Sequence, residues 1–113
     1  MKKKLILLLC LVLLLLTGCG QIGSSIRFGA ADVGGMYYPF ASSYTGLVSK
    51  DNADYQFEVK STAGSAANLR LLSGNYIELG IAQNDFIDAA YSGTGIFKGN
   101  QCRGYKAIAS LYP

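Results

Sequence analysis

From Ser25 onward the apolar residues switch repeatedly between a period of two and a helical period, with turns rich in Gly and Ser at the switches. That alternation restricts the chain to a small set of architectures. Ile26, Phe28 and Ala30 alternate with Arg27 and Gly29, which predicts a short strand, and Asp32–Gly35 reads as a turn. From Met36 the period becomes helical: Tyr37, Phe40, Ala41, Tyr44, Leu47 and Val48 share one face. Pro39 fits in the first turn of that helix, where a missing N–H breaks no bond. Asp51 and Asn52 end it. Tyr55, Phe57 and Val59 then alternate with Gln56, Glu58 and Lys60, the pattern of a strand with one wet face at a sheet edge.

After a turn at Ser61–Gly64, Ser65 is placed to cap a second helix carrying Ala66, Leu69 and Leu72. Gly74 and Asn75 stop that helix. Ile77, Leu79, Ile81 and Ala82 predict a third strand, and Asn84 or Asp85 caps a third helix with Phe86, Ala89 and Ala90. Residues 92–104 hold four glycines and read as a long loop; Ala107–Leu111 reads as a fourth strand. The order β-α-β-α-β-α-β places the chain in the α/β class, with a parallel sheet and right-handed crossovers.

The first residues follow a different logic. Lys2, Lys3 and Lys4 precede a twelve-residue apolar run, Leu5–Leu16, which ends in Thr17-Gly18-Cys19. A charged, then apolar, then small-residue order is that of a secretory signal. The run is shorter than the roughly 20 residues a spanning helix needs. Leu16-Thr17-Gly18-Cys19 resembles the lipobox of bacterial lipoproteins, which implies cleavage after residue 18, lipid on the thiol of Cys19, and attachment to a membrane through that lipid. Residues 1–18 are then a signal peptide, 19–25 a flexible tether and 26–113 the folded part. Three of the ten Lys and Arg leave with the signal, and the seven Asp and Glu all lie beyond it, so the exported chain is near neutral. A nucleic-acid surface is therefore not expected.

Catalysis has little to rest on. The sequence has no histidine and no GxSxG. Cys102 has no partner for an intrachain disulfide once Cys10 and Cys19 are accounted for, and reads as a small apolar residue; no metal cluster and no cofactor are expected. Asp85 and Asp88 are three residues apart at a helix start, where carboxylates suit the helix dipole. Binding has more support. In a parallel sheet the ligand lies outside the carboxyl ends of the strands, and the turns Asp32–Gly35, Ser61–Ser65 and Gln83–Asp85 all point there. Each leads into a helix whose free N–H groups favour an anion. Ordinary turn chemistry accounts for the same residues equally well. Tyr37-Tyr38 adds to the binding reading, because adjacent helical residues cannot both face the core.

Five segments carry a family resemblance. Gly34-Gly35-Met36-Tyr37-Tyr38-Pro39, Ser61-Thr62-Ala63-Gly64-Ser65-Ala66-Ala67-Asn68-Leu69, Leu79-Gly80-Ile81-Ala82-Gln83-Asn84-Asp85, Gly93-Thr94-Gly95-Ile96-Phe97 and Ala107-Ile108-Ala109-Ser110-Leu111-Tyr112-Pro113 resemble, in order, segments of the TAXI-family solute receptors of TRAP transporters. The resemblance implies a type II periplasmic-binding-protein fold with two lobes. It also implies a ligand that is a small carboxylate or amino acid, and delivery to TRAP membrane permease subunits driven by an ion gradient. Carried over by position, it places Gly34, Gly35, Tyr37 or Tyr38, Thr62, Gly64, Ser65, Asn68, Gln83 and Asp85 in the pocket. A ligand-sensing surface lipoprotein on the same fold is the competing expectation.

Two departures qualify the resemblance. Ala30, Ala31 and Asp32 stand where the family carries Thr and Gly, which removes a hydroxyl and adds a negative charge. The chain also ends after the fourth predicted strand, so the expectation is the first part of one lobe with the second lobe absent, and weak binding from half a clamp.

Overall fold

The computed structural model describes residues 25–111. The expected signal peptide, Cys19, the tether as far as residue 24, and Tyr112 and Pro113 lie outside the described residues. Three parallel strands, β1 (Ile26–Gly29), β2 (Phe57–Lys60) and β3 (Leu79–Gly80), form a sheet in the order β2-β1-β3. Three helices connect and follow them: α1 (Tyr37–Asp51), α2 (Ser65–Ser73) and α3 (Asn84–Ser92). The fold is α/β. Phe28 faces Val59 on one side and Leu79 on the other, so the apolar residues of all three strands share a face. β2 occupies an edge, as its strict alternation requires.

The helices divide between the two faces of the sheet. On one face Ala41 of α1 packs with Phe28, Ala30 and Ile81, flanked by Tyr37, Tyr38, Phe40 and Val59. On the other, Gly29 and Gly80 lie against Asn68 of α2 and Ile77. A second cluster, Leu69, Ala90, Phe97 and Cys102, joins α2 and α3 to the segment that follows them. Cys102 is thus a packed apolar residue, with its N–H on Ala90 O at 3.0 Å.

Four local expectations change. The buried stripe of α1 runs through Ala41 and Thr45, while Tyr44 and Leu47 are 44% and 65% exposed. Thr45 can be buried because its hydroxyl donates to Ser42 O within the helix (3.2 Å). Residues 92–104 are not a loose loop: a 3₁₀ turn at Gly95–Phe97 drives Phe97 fully into the second cluster, and the Arg70 guanidinium lies 4.9 Å over that ring. The helix caps are Gly64 and Gln83 rather than Ser65 and Asn84 or Asp85, and neither makes a side-chain capping bond. Finally, residues 107–111 take no place in the sheet. Residues 104–108 stand off from β3 across a trough of about 400 Å³. An apolar run becomes a strand only when its main chain meets a partner edge.

Candidate functional site

The carboxyl ends of β1, β2 and β3 and the amino ends of α1, α2 and α3 meet on one side of the sheet. Because β2 lies to one side of β1 and β3 to the other, the chain reverses direction there, the switch point at which open parallel sheets form a crevice. An open depression of about 400 Å³ occupies the position, with Tyr37, Gly64, Ser65, Ala66, Gln83 and Phe86 among its lining. Each helix contributes its first turn.

The walls are fixed from beneath by a buried polar network. Asn68 has no exposed surface. Its Nδ2 donates to Ala30 O, just past β1, and to Ile81 O, just past β3, at 2.8 Å. Two carbonyls can be met only by the amide nitrogen, so Oδ1 faces the other way and accepts the Thr62 hydroxyl at 2.6 Å. Thr62 Oγ1 in turn accepts the Gly64 N–H (3.3 Å). Ala31 O receives both the Thr62 N–H (3.3 Å) and the Ser61 hydroxyl (3.1 Å). The second turn is therefore tied to the end of β1 at several points. Ser65, buried at the first position of α2, accepts the Gln83 N–H on Oγ at 3.1 Å, which joins the second turn to the third.

Gly64 makes this geometry possible. Its φ of 88° and ψ of −157° lie in a region open essentially to glycine alone. The conformation turns the chain directly from the Thr62 bond into α2.

All three helices begin without a side-chain cap, and α1 and α2 have no acidic residue in the first turn. Their first i→i−4 bonds run from Phe40 to Met36 O, from Asn68 to Gly64 O and from Ile87 to Gln83 O. The N–H groups before those points have no helical partner. The lining itself includes no charged side chain. Such an arrangement offers main-chain N–H groups and the positive ends of helix dipoles to an anion, without a fixed cation.

Of the residues expected from sequence, Tyr37, Gly64, Ser65 and Gln83 line the depression. Tyr38 is half-buried against the core of α1. Thr62 and Asn68 lie beneath the surface with their polar groups engaged. Gly34 and Gly35 form an exposed turn closed by Gly35 N–H on Asp32 O (2.9 Å), and Asp85 is exposed on the first turn of α3. Ala31, Met36, Ala63, Ala66 and Phe86 also line the depression and carry no chemistry that would have singled them out in the sequence.

A family model described as the NMT1-like family matches residues 28–113, from within β1 onward and through the three turns and helix starts of this site. The chain belongs to the NMT1-like family. This is a periplasmic-binding-protein-like family, typically non-enzymatic and generally extracytoplasmic. The NMT1-like chain is accordingly of the solute-binding class, and its depression lies at the switch point where such a sheet presents a ligand.

Proposed function

We propose that this chain is a lipid-anchored extracytoplasmic solute receptor of the TAXI kind. It captures a small organic acid or amino acid and passes it to the permease subunits of a TRAP-type transporter. The observation that carries the ligand class is the convergence of three uncapped helix starts on one depression whose lining has no charged side chain. A carboxylate is among the anions that main-chain N–H groups and helix dipoles hold without a cation. Tyr37 and Gln83 supply a ring face and an amide for the remainder of the ligand. The lysines at residues 2–4, the apolar run and Cys19 support export and lipid attachment. The depression is shallow, whereas binding pockets enclose some 70–90% of their ligand, so tight capture requires a facing wall.

Two substitutions at one position test the main-chain reading. Ser65→Ala removes the hydroxyl that receives the Gln83 N–H. Ser65→Pro removes that hydroxyl and also the N–H, at a helix position that tolerates proline. Titration calorimetry with glutamate, glutamine and short dicarboxylates is expected to show roughly tenfold weaker binding for the proline variant than for the alanine variant, the worth of one hydrogen bond to a charged group. Equal affinities of the two variants for a carboxylate that does bind would refute recognition by main-chain N–H groups.

A further inference from the structure

The depression is apolar as well as uncharged. Tyr37 packs against the core cluster around Phe28, whereas Ala66 and Phe86 pack against the cluster around Leu69, so both cores come to the surface there. Met36, 73% exposed, adds an unbranched thioether to the lining. Such a side chain adapts its shape to an apolar neighbour. Polar side chains are few: the Ser65 hydroxyl already accepts the Gln83 N–H, and Gln83 carries an amide.

A second charge on a ligand, of either sign, finds no counter-charge in this wall. Among the described residues, the lining holds no Lys or Arg for a second carboxylate and no Asp or Glu for an ammonium group. Asp32 folds over its own turn, where a Cβ at Gly34 would sit 3.4 Å from its Oδ2. Asp85 is exposed on the first turn of α3, outside the lining. A charge set against ring and thioether carbons loses its hydration without a replacement. An alkyl or aryl group in the same place removes apolar surface from water on both sides of the contact.

We infer that the ligand is a monocarboxylate with an uncharged, apolar body, a choice that rests on the carboxylate reading above. Its carboxylate meets the N–H groups at the start of α2. Its body lies between Met36 and Tyr37 on the α1 side and Phe86 on the α3 side. Dicarboxylates and amino acids are the poorer ligands of the same site.

Four probes built on one skeleton test this: isocaproate; succinate, in which a carboxylate replaces the isopropyl group at nearly the same size; leucine, which adds an α-ammonium; and isocaproamide, which lacks the negative charge. Each is titrated at millimolar concentration into the full chain, isotope-labelled at the methyl groups of its two methionines, Met1 and Met36, and followed by NMR. Isocaproate is expected to bind roughly tenfold tighter than succinate or leucine and to shift the Met36 methyl signal. Met36→Gln keeps the length of an exposed side chain and replaces the thioether with an amide. It is expected to weaken isocaproate several-fold and to leave succinate unchanged. Succinate or leucine binding as tightly as isocaproate, or a Met36 methyl that stays put in the isocaproate complex, would overturn the apolar body and leave the carboxylate reading standing. Isocaproamide binding as well as the acid would sink the carboxylate reading and, with it, the monocarboxylate. No saturable shift with any of the four would sink both.

Discussion

At the carboxyl end of β1 a neutral carboxamide with no exposed surface, Asn68, bonds the main chain beyond β1 and beyond β3; nearer the amino end an exposed ion pair, Arg27–Glu78, joins the same two strands. The ion pair looks the stronger on paper. Arg27 offers Nε and Nη2 to the two oxygens of Glu78, at 3.1 and 2.5 Å, while its own N–H reaches Glu78 Oε2 at 2.7 Å. Yet its side chains are 37% and 44% exposed, so water competes for every bond and salt screens the charges. Asn68 has no such competition, and an unmet carbonyl beneath the site would have no water to turn to. The fold has therefore put its insulated contacts under the depression, where the positions of helix N–H groups matter, and its screened contact at the other end.

The largest expected effect follows from Asn68. Asn68→Leu keeps the branched shape and the number of heavy atoms, though its methyls are bulkier, and removes the donor to Ala30 O and Ile81 O, leaving buried carbonyl capacity unmet. The expected loss is about 3 kcal/mol, read as a lower urea midpoint at unchanged slope. Ala30 O still has the Thr62 hydroxyl within reach at 2.9 Å, so most of the loss arises at Ile81. A loss no larger than that of an exposed substitution would break the contrast between the two fastenings.

Gly29→Ala sharpens it. A Cβ at Gly29 would sit 2.5 Å from Ile77 Cδ1 and 2.7 Å from Asn68 Oδ1. The isoleucine methyl can rotate aside, but the carboxamide is held by its bonds to three groups. The expected cost is about 1–3 kcal/mol. It should shrink when Asn68 is also alanine, because the clash partner has gone. A double-mutant cycle measures that coupling, and strict additivity would show that Asn68 is free to move.

These contacts also mark how far the sequence could be read. Alternation found β1 and β2, and helical spacing found all three helices, because those patterns report which face is dry. Thr45 escaped notice because its burial depends on an intrahelical bond to Ser42 O, whereas Leu47 looks more apolar but is mostly exposed, and Tyr44 reaches the core only with its ring edge against Phe28. Ser65 looked like a cap by residue type; its hydroxyl is instead taken by Gln83 N–H, eighteen residues along, a partner no local pattern encodes. Residues 107–111 have the composition of a strand, but being in a sheet is a relation between two segments and only one can be read at a time. The turns were legible as turns. Which of their residues would line a depression depended on the side-chain direction set by tertiary bonds: Thr62 and Asn68 lie under the floor, while Ala66 and Phe86 form the wall.

The smallest effect belongs to the ion pair, and its dependence on pH identifies it. Hydrogen bonds from the Arg27 side chain, and then from its main chain, hold the Glu78 carboxyl at about 2, down from an ordinary 4.5. A carboxylate depressed in the folded state binds its proton more readily when unfolded. Its contribution is therefore complete above the unfolded value, begins to fall as the pH drops below about 4.5, and is gone once the pH passes about 2. Comparing Glu78→Gln with the parent chain cancels the carboxylates they share. The gap between their urea midpoints is expected to be small and level from pH 7 to about 5, and to close between about 4.5 and 2. Added salt should narrow the level part of the gap, as it does for exposed charges, while the Asn68→Leu deficit stays the same at every salt concentration. If salt moved both deficits alike, the buried carboxamide and the exposed pair would be sharing one solvent environment, and the division between an insulated and a screened end of β1 would fall.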